Sequence, residues 1–272
     1  MNVIHIAGQP QDHSHEPMAE IEAGSRVAIV TGGGRGIGRG CARALARAGF
    51  DIALVDILVP EMEITAGEIR GLGRRVLCIE ADVADHARAK QVVGQVVAQF
   101  GRVDFLLNNA GRAQPKGIME ITEAEFDGSI ALNLKSCFNY IQAVVPQMRA
   151  QGGGRIASMS SLNALSGGVT AAVSRFAYAS AKAGILGMTR ALAKELGPNI
   201  LVNAICPGLI KTELAKNPVI IQRGDALARE GIALGRVGSV DDVAQVVLFL
   251  ATSEPCFITG QHFVVDGFQY HV

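Results

Sequence analysis

The sequence predicts an α/β fold: a doubly wound parallel sheet of about seven strands, helices on both faces, in a single domain. Two observations carry this. Seven short β-rich runs are almost continuously apolar rather than alternating, the pattern of strands covered on both faces. Stretches with helical periodicity lie between them, and strand–helix alternation builds right-handed βαβ units. The 272 residues suit this architecture, since 49% are hydrophobic and 18% charged, enough for a large core and too little charge for disorder.

In order, the strands are RVAIVT (26–31), DIALVD (51–56), RVLCIEAD (75–82), VDFLLNNAG (103–111), GRIASMSS (154–161), ILVNAICPG (200–208) and HFVVDG (262–267). Helical patterns occupy 36–49, 85–100, 122–150, 176–197 and 240–252. No repeat, linker or composition shift divides residues 25–272. Residues 1–24 stand apart as an N-terminal arm without the basic start or long apolar core of a signal peptide. Its His13, His15 and Glu16 read as part of a solvated or subunit-contacting arm rather than as metal ligands, and no metal site is expected.

Lysine plus arginine equals aspartate plus glutamate, 25 each, so the basic footprint of a nucleic-acid binder is missing. The basic residues are scattered, with no interleaved aromatics on which bases would stack. No run of about 18 apolar residues exists to span a membrane. Zero net charge with a mean hydropathy of +0.28 suits a protein that hides surface in an oligomer. The five cysteines are widely spaced and form no CxxC pair, against a disulfide framework or zinc site and in favour of reduced thiols in a cytoplasmic protein.

The first strand runs into TGGGRGIGRG, residues 31–40. Gly32, Gly36 and Gly38 let the backbone turn tightly and approach a pyrophosphate, and the following helix aims its first amides and positive dipole end at the phosphates. Asp56 closes the second strand. A carboxylate there accepts hydrogen bonds from the adenosine ribose and repels a 2′-phosphate, favouring NAD over NADP. Arg35 inside the loop is the counter-signal, because a guanidinium suits a 2′-phosphate.

Within FAYASAKAGILGMTRALAKELG (176–197), Tyr178 precedes Lys182 by about one helical turn, so the two side chains share a face. A phenol in water gives up its proton near pH 10, too high for acid–base work near neutrality, and an adjacent ammonium stabilises the phenolate. Of the three tyrosines only Tyr178 has a lysine at that offset; Tyr140 has Val144, and Tyr270 lies at the C-terminus.

TGGGRGIG, NNAG (108–111), YASAK (178–182) and PGLIKT (207–212) occur in the order and approximate spacing of the short-chain dehydrogenase/reductase family, which the chain resembles over residues 25–268. The resemblance implies a Rossmann fold and an NAD(H)-dependent oxidoreductase with Tyr178 as general acid/base. It implies that Lys182 holds the nicotinamide ribose, that Ser161 bonds the substrate oxygen (Ser160 being the fallback), and that Asn133 holds a water linking Lys182 to solvent. Asp82 and Val83 resemble the adenine contacts, and Ile37, Asn109, Ala110 and Gly111 line the cofactor. Pro207 and Gly208 turn the chain towards Ile210 and Thr212, which resemble positions at the nicotinamide carboxamide. The helices at 122–150 and 176–197 resemble those of a homotetramer interface. SGGVTAAVSRF makes the gap between Ser161 and Tyr178 longer than is usual in the family.

Three functions fit. The first is oxidation of a small polar alcohol (polyol, sugar or hydroxy acid), favoured by Asp56 and by Asn163, Arg175 and Lys211 near the expected pocket. The second is reduction of a 3-oxoacyl thioester on acyl-carrier protein or CoA, against which stands Asn139 where such reductases resemble one another in carrying a base. The third is a nicotinamide-binding sensor without turnover, disfavoured by the complete set Asn133, Ser161, Tyr178 and Lys182. No G-x-S-x-G elbow, HExxH or EF-hand pattern supports a hydrolase or metal-dependent alternative.

Overall fold

In the computed structural model, which describes residues 24–168, 173–213, 224, 226, 228–254 and 256–269, the seven predicted strands form one wholly parallel sheet. The chain runs β1 (Val27–Thr31), α1 (Gly36–Arg47), β2 (Asp51–Asp56), α2 (Val59–Gly71), β3 (Val76–Glu80), α3 (His86–Phe100) and β4 (Phe105–Asn108). It continues through α4 (Glu123–Ile130), α5 (Ser136–Ala150), β5 (Gly154–Met159), α6 (Asn163–Ser166), α7 (Phe176–Leu196) and β6 (Ile200–Pro207). Two-residue strands β7 (Ile210–Lys211) and β8 (Gly238–Ser239) pair with each other, and α8 (Val240–Thr252) and β9 (His262–Val265) complete the order. The expected N-terminal arm lies outside the described residues except for Gly24.

The strand order is β3-β2-β1-β4-β5-β6-β9. The chain winds outward from β1 to β3, returns to place β4 beside β1, and then winds the other way. The crevice beyond the carboxyl ends of β1 and β4 is the switch point at which such sheets bind ligands. Alternate strand residues feed two cores. Val27 and Ile29 of β1 pack with Val92, Tyr140 and Ile185 of α3, α5 and α7, while Ala28 and Val30 pack with Leu45, Met62 and Val243 of α1, α2 and α8. This explains why the strands read as continuous apolar runs.

The helix boundaries have local causes. Asp85 caps α3 by accepting from Arg88 N at 3.0 Å, and Gly101, with φ +80°, ends it. Thr122 with Glu125, and Ser239 with Asp242, form capping boxes on α4 and α8. The single helix predicted over 122–150 is two helices joined by a π turn at Ala131–Lys135, with Asn133 inside it.

At the opposite end of the sheet Asp51, 1% exposed, accepts from Ser25 Oγ at 2.8 Å and Arg75 Nε at 2.8 Å, and pairs with Arg74 at 2.9 Å. Burial alone raises its carboxyl, but the bonds from Arg75 and Ser25 and the charge of Arg74 outweigh burial and hold it below the ordinary carboxylate value. A depressed folded-state value contributes stability that is present above the unfolded value, near pH 4, and is lost as pH falls through the folded one. Asp51→Asn should therefore cost about 2–3 kcal/mol at pH 7 and flatten the acid limb of stability, measured by urea unfolding between pH 3 and 7.

Candidate active site

The glycine loop leaves β1 with Gly32 at φ +63° and enters α1 at Gly36. Its packing admits no side chain at Gly38, where a Cβ would sit 2.0 Å from Gly32 O. Thr31 and Asn109 organise the switch point. Thr31 Oγ1 accepts from Asn109 N at 3.0 Å and Ala110 N at 3.1 Å, and Asn109 Nδ2 donates to Thr31 O and Gly32 O, each at 3.1 Å. The Asn109 amide is thus spent bracing the glycine loop, and its contribution to the cleft is indirect. Thr31 received no role from the sequence; a hydroxyl at the last position of an apolar strand was the available signal.

Asp56 is buried at the end of β2. One carboxylate oxygen accepts from Gly34 N at 3.0 Å, the other from Ile57 N at 2.8 Å and Leu58 N at 3.2 Å. The carboxylate is locked to the glycine loop itself, whereas Arg35 is exposed. Asp82 is exposed and accepts from Ala84 N at 2.9 Å, a local turn, while Val83 is buried behind it. Asn139, fully buried, donates to Val83 O at 2.9 Å and Ala84 O at 3.1 Å, and bonds His86 Nδ1 at 3.1 Å. It is a strut beneath this turn.

Tyr178 and Lys182 lie one turn apart in α7, as predicted, with Lys182 Nζ 5.7 Å from the centre of the phenol ring. Lys182 is 3% exposed, and one of its three N–H donors goes to Met159 O at 2.7 Å. Ser160 Oγ donates to Lys182 O at 2.8 Å. That bond and its burial withdraw Ser160, whereas Ser161 is half-buried and its Oγ accepts from Asn163 N at 3.2 Å. Asn133 Oδ1 accepts from Arg112 N at 3.0 Å, and Nδ2 donates to Arg112 O at 3.1 Å and Ser129 O at 3.0 Å. A Cβ at Gly111 would lie 2.8 Å from Asn133 Oδ1 and 3.4 Å from Lys182 Nζ, so a side chain here would press on both. Tyr140, by contrast, is wholly buried, and burial pushes its phenol further up from the ordinary value.

Pro207 ends β6; Gly208 packs against Asp266, Ile210 against Gly238, and Thr212 reaches the glycine loop, its Cγ2 standing 3.7 Å from where a Gly36 Cβ would be. The sequence also places substrate specificity in the loops 162–176 and 209–236; their residues 169–172, 214–223, 225 and 227 lie outside the described residues, as does Tyr270. Among the described residues there is no group of three potential metal ligands, and no helix is long and apolar enough to cross a membrane.

A glycine loop opening a helix, a buried acceptor at the end of the next strand and a tyrosine–lysine pair across the crevice fit a dinucleotide. They define an oxidoreductase of the Rossmann type acting on alcohol and carbonyl groups. The family model described as enoyl-(acyl carrier protein) reductase matches residues 32–267, and the chain belongs to the short-chain dehydrogenase/reductase family. It is 38% identical over 243 residues to the 3-oxoacyl-[acyl-carrier-protein] reductase FabG of Thermotoga maritima, covering 89% of this chain and 96% of that one. A putative short-chain alcohol dehydrogenase from Sinorhizobium meliloti superposes with a TM-score of 0.83 at 34% identity, covering 89% of this chain and 95% of that one. A short-chain dehydrogenase/reductase of Brucella melitensis described as glucose/ribitol dehydrogenase gives 0.82 at 29% identity, over 91% and 97%.

Proposed function

We propose that the chain is an NAD(H)-dependent oxidoreductase that interconverts an alcohol and a carbonyl, acting on a small polar alcohol such as a polyol, sugar or hydroxy acid. The observation that carries the cofactor assignment is Asp56, whose buried carboxylate is fixed to Gly34 N at 3.0 Å beside the helix end proposed for the pyrophosphate. A 2′-phosphate brought against it meets like charge, at a cost of several kcal/mol. Asp56→Asn keeps the shape and removes the charge, so the NADP-to-NAD ratio of kcat/KM should rise at least about tenfold. An unchanged ratio in steady-state assays with both cofactors would leave Asp56 without that role.

In this reading Tyr178 moves the proton at the substrate oxygen, and Ser161 donates a hydrogen bond to the same atom. Lys182, fixed by Met159 O, holds its positive charge against the phenol ring and offers its remaining donors to the ribose. Asn133 shapes the passage by which protons reach Lys182. The nicotinamide, when bound, supplies or takes up the hydride.

A second reading, a 3-oxoacyl thioester reductase, is favoured by the likeness to FabG and by the exposed apolar Ile118, Met119 and Leu165. Against it, Asn139 is neutral and buried. Rates followed by nicotinamide absorbance, with sugar alcohols and hydroxy acids plus NAD against an acetoacetyl thioester plus NADH or NADPH, separate the two. Absence of turnover with all of them would favour the sensor.

The same proposal includes a cytoplasmic homotetramer. Five free cysteines support the compartment, and exposed Phe249, Phe257 and Val264 near the edge strand β9 support assembly. Light scattering on the eluting protein tests the latter.

A further inference from the structure

The segment leaving β6 carries Ile210 and Thr212, which the proposed function sets at the nicotinamide end of the cleft, and it runs on to Glu213. That glutamate turns back to the start of α1. Its Oε1 accepts from Gly36 N at 3.4 Å, and Arg39 Nη1 donates to Oε1 at 3.3 Å and Oε2 at 3.2 Å. Arg39 also reaches α2, where Nε and Nη2 grip Glu68 at 3.0 and 2.5 Å. All three guanidinium nitrogens are engaged, so the planar fork is fixed in place and is a rigid anchor for Glu213.

Among the described residues the two parts are also joined at the base, where β8 leads into α8 and Val240 packs against Gly40 of α1. An open hollow of about 240 Å³ lies beside this contact, lined by Arg39 and Arg43 of α1 and by Lys211 and Glu213 of the segment. The segment is held at its base by the pairing of Ile210 with Gly238 and Lys211 with Ser239. Beyond that base, among the described residues, it meets α1 through Thr212 packed over Gly36 and through the hydrogen bonds of Glu213.

We propose that Glu213 is a positioning residue: through Gly36 and Arg39 it fastens the nicotinamide-side segment to the phosphate loop and fixes the spacing between the two halves of the cofactor cleft. This rests on the functional reading above. A ligand that spans both halves profits from a spacing set in advance, because binding then orders less of the chain. A ligand without the nicotinamide, the group that Ile210 and Thr212 would meet, profits less. The carboxylate beside the amide end of α1 also weakly opposes any phosphate there. Removing Glu213 therefore acts differently on the two kinds of ligand.

NADH spans both halves, while ADP-ribose lacks the nicotinamide, and calorimetric titration with each provides the test. In Glu213→Ala, ADP-ribose should bind as tightly as in wild type or up to about threefold tighter, while NADH binds about tenfold more weakly. KM for NAD should rise with the NADH dissociation constant while kcat changes less than threefold. Arg39→Met should lower the NADH-to-ADP-ribose affinity ratio in the same direction, and the double variant should lose little more than either single one. Glu213→Asp should recover part of the ratio. Equal shifts for both ligands in Glu213→Ala, or no shift for either, would overturn the proposal. Failure of wild type to bind either ligand would instead overturn the dinucleotide reading itself.

Discussion

Tyr178→Phe should lower turnover at least about a thousandfold, roughly 4 kcal/mol of transition-state stabilisation, while NADH affinity stays within about threefold of wild type. The substitution removes one oxygen from a half-buried side chain. The ring stays over Lys182 Nζ at 5.7 Å, and Lys182 keeps its bond to Met159 O at 2.7 Å. Neither core relies on the phenol, so folding is unaffected and the loss reads as chemistry alone. The alternatives for proton transfer are poor. Tyr140 is sealed in the core with its phenol pushed up by burial, and Ser160 spends its hydroxyl on Lys182 O. Ser161 remains to polarise the substrate oxygen but has no comparable charge partner. Stopped-flow turnover with a matched NADH titration checks both halves of the expectation, and substantial residual turnover would remove the phenol from the mechanism.

The parts of this site that sequence revealed are those in which one short segment carries the whole signal. Tyr178 and Lys182 sit on one helix, so a four-residue offset places them together. The glycine loop is bounded by β1 and α1, and Asp56 is the last residue of an apolar run. What sequence concealed depends on distant segments meeting. The role of Asn109 depends on the carbonyls of Thr31 and Gly32, 77 or 78 positions away. The choice between Ser160 and Ser161 turns on which hydroxyl faces α7, since adjacent residues at a strand end point to opposite sides. The break in 122–150 was hidden because a π turn keeps helical composition while shifting the hydrogen-bond register. Glu213 likewise read as an unremarked residue after PGLIKT, because Arg39 and Gly36 reach it across 174 and 177 positions.

Gly38→Ala should be a severely damaging single-methyl change, lowering NADH affinity at least about a hundredfold and stability by about 2–4 kcal/mol. The added carbon would lie 2.0 Å from Gly32 O, 2.8 Å from Gly32 C and 2.6 Å from Asn109 Nδ2. The obstruction is mainly backbone, so no rotamer change relieves it. Gly32 cannot retreat freely, because its N–H is bonded to Val55 O at 2.7 Å and its carbonyl to Asn109 Nδ2 at 3.1 Å. Moving it disturbs the Thr31 and Asn109 bonds that join β1 to β4, so the damage spreads across the switch point. Gly94 is the control for the methyl group itself. It lies exposed in the middle of α3, and a Cβ there meets nothing within 4 Å. Gly94→Ala should therefore raise the melting temperature by about 2–4 °C through helix propensity, with NADH affinity unchanged. The same atom added to two helices is thus expected to have opposite effects, because one helix meets solvent at that point and the other meets the turn proposed to hold the cofactor. Normal NADH binding by Gly38→Ala would mean that the loop yields where its hydrogen bonds say it is fixed.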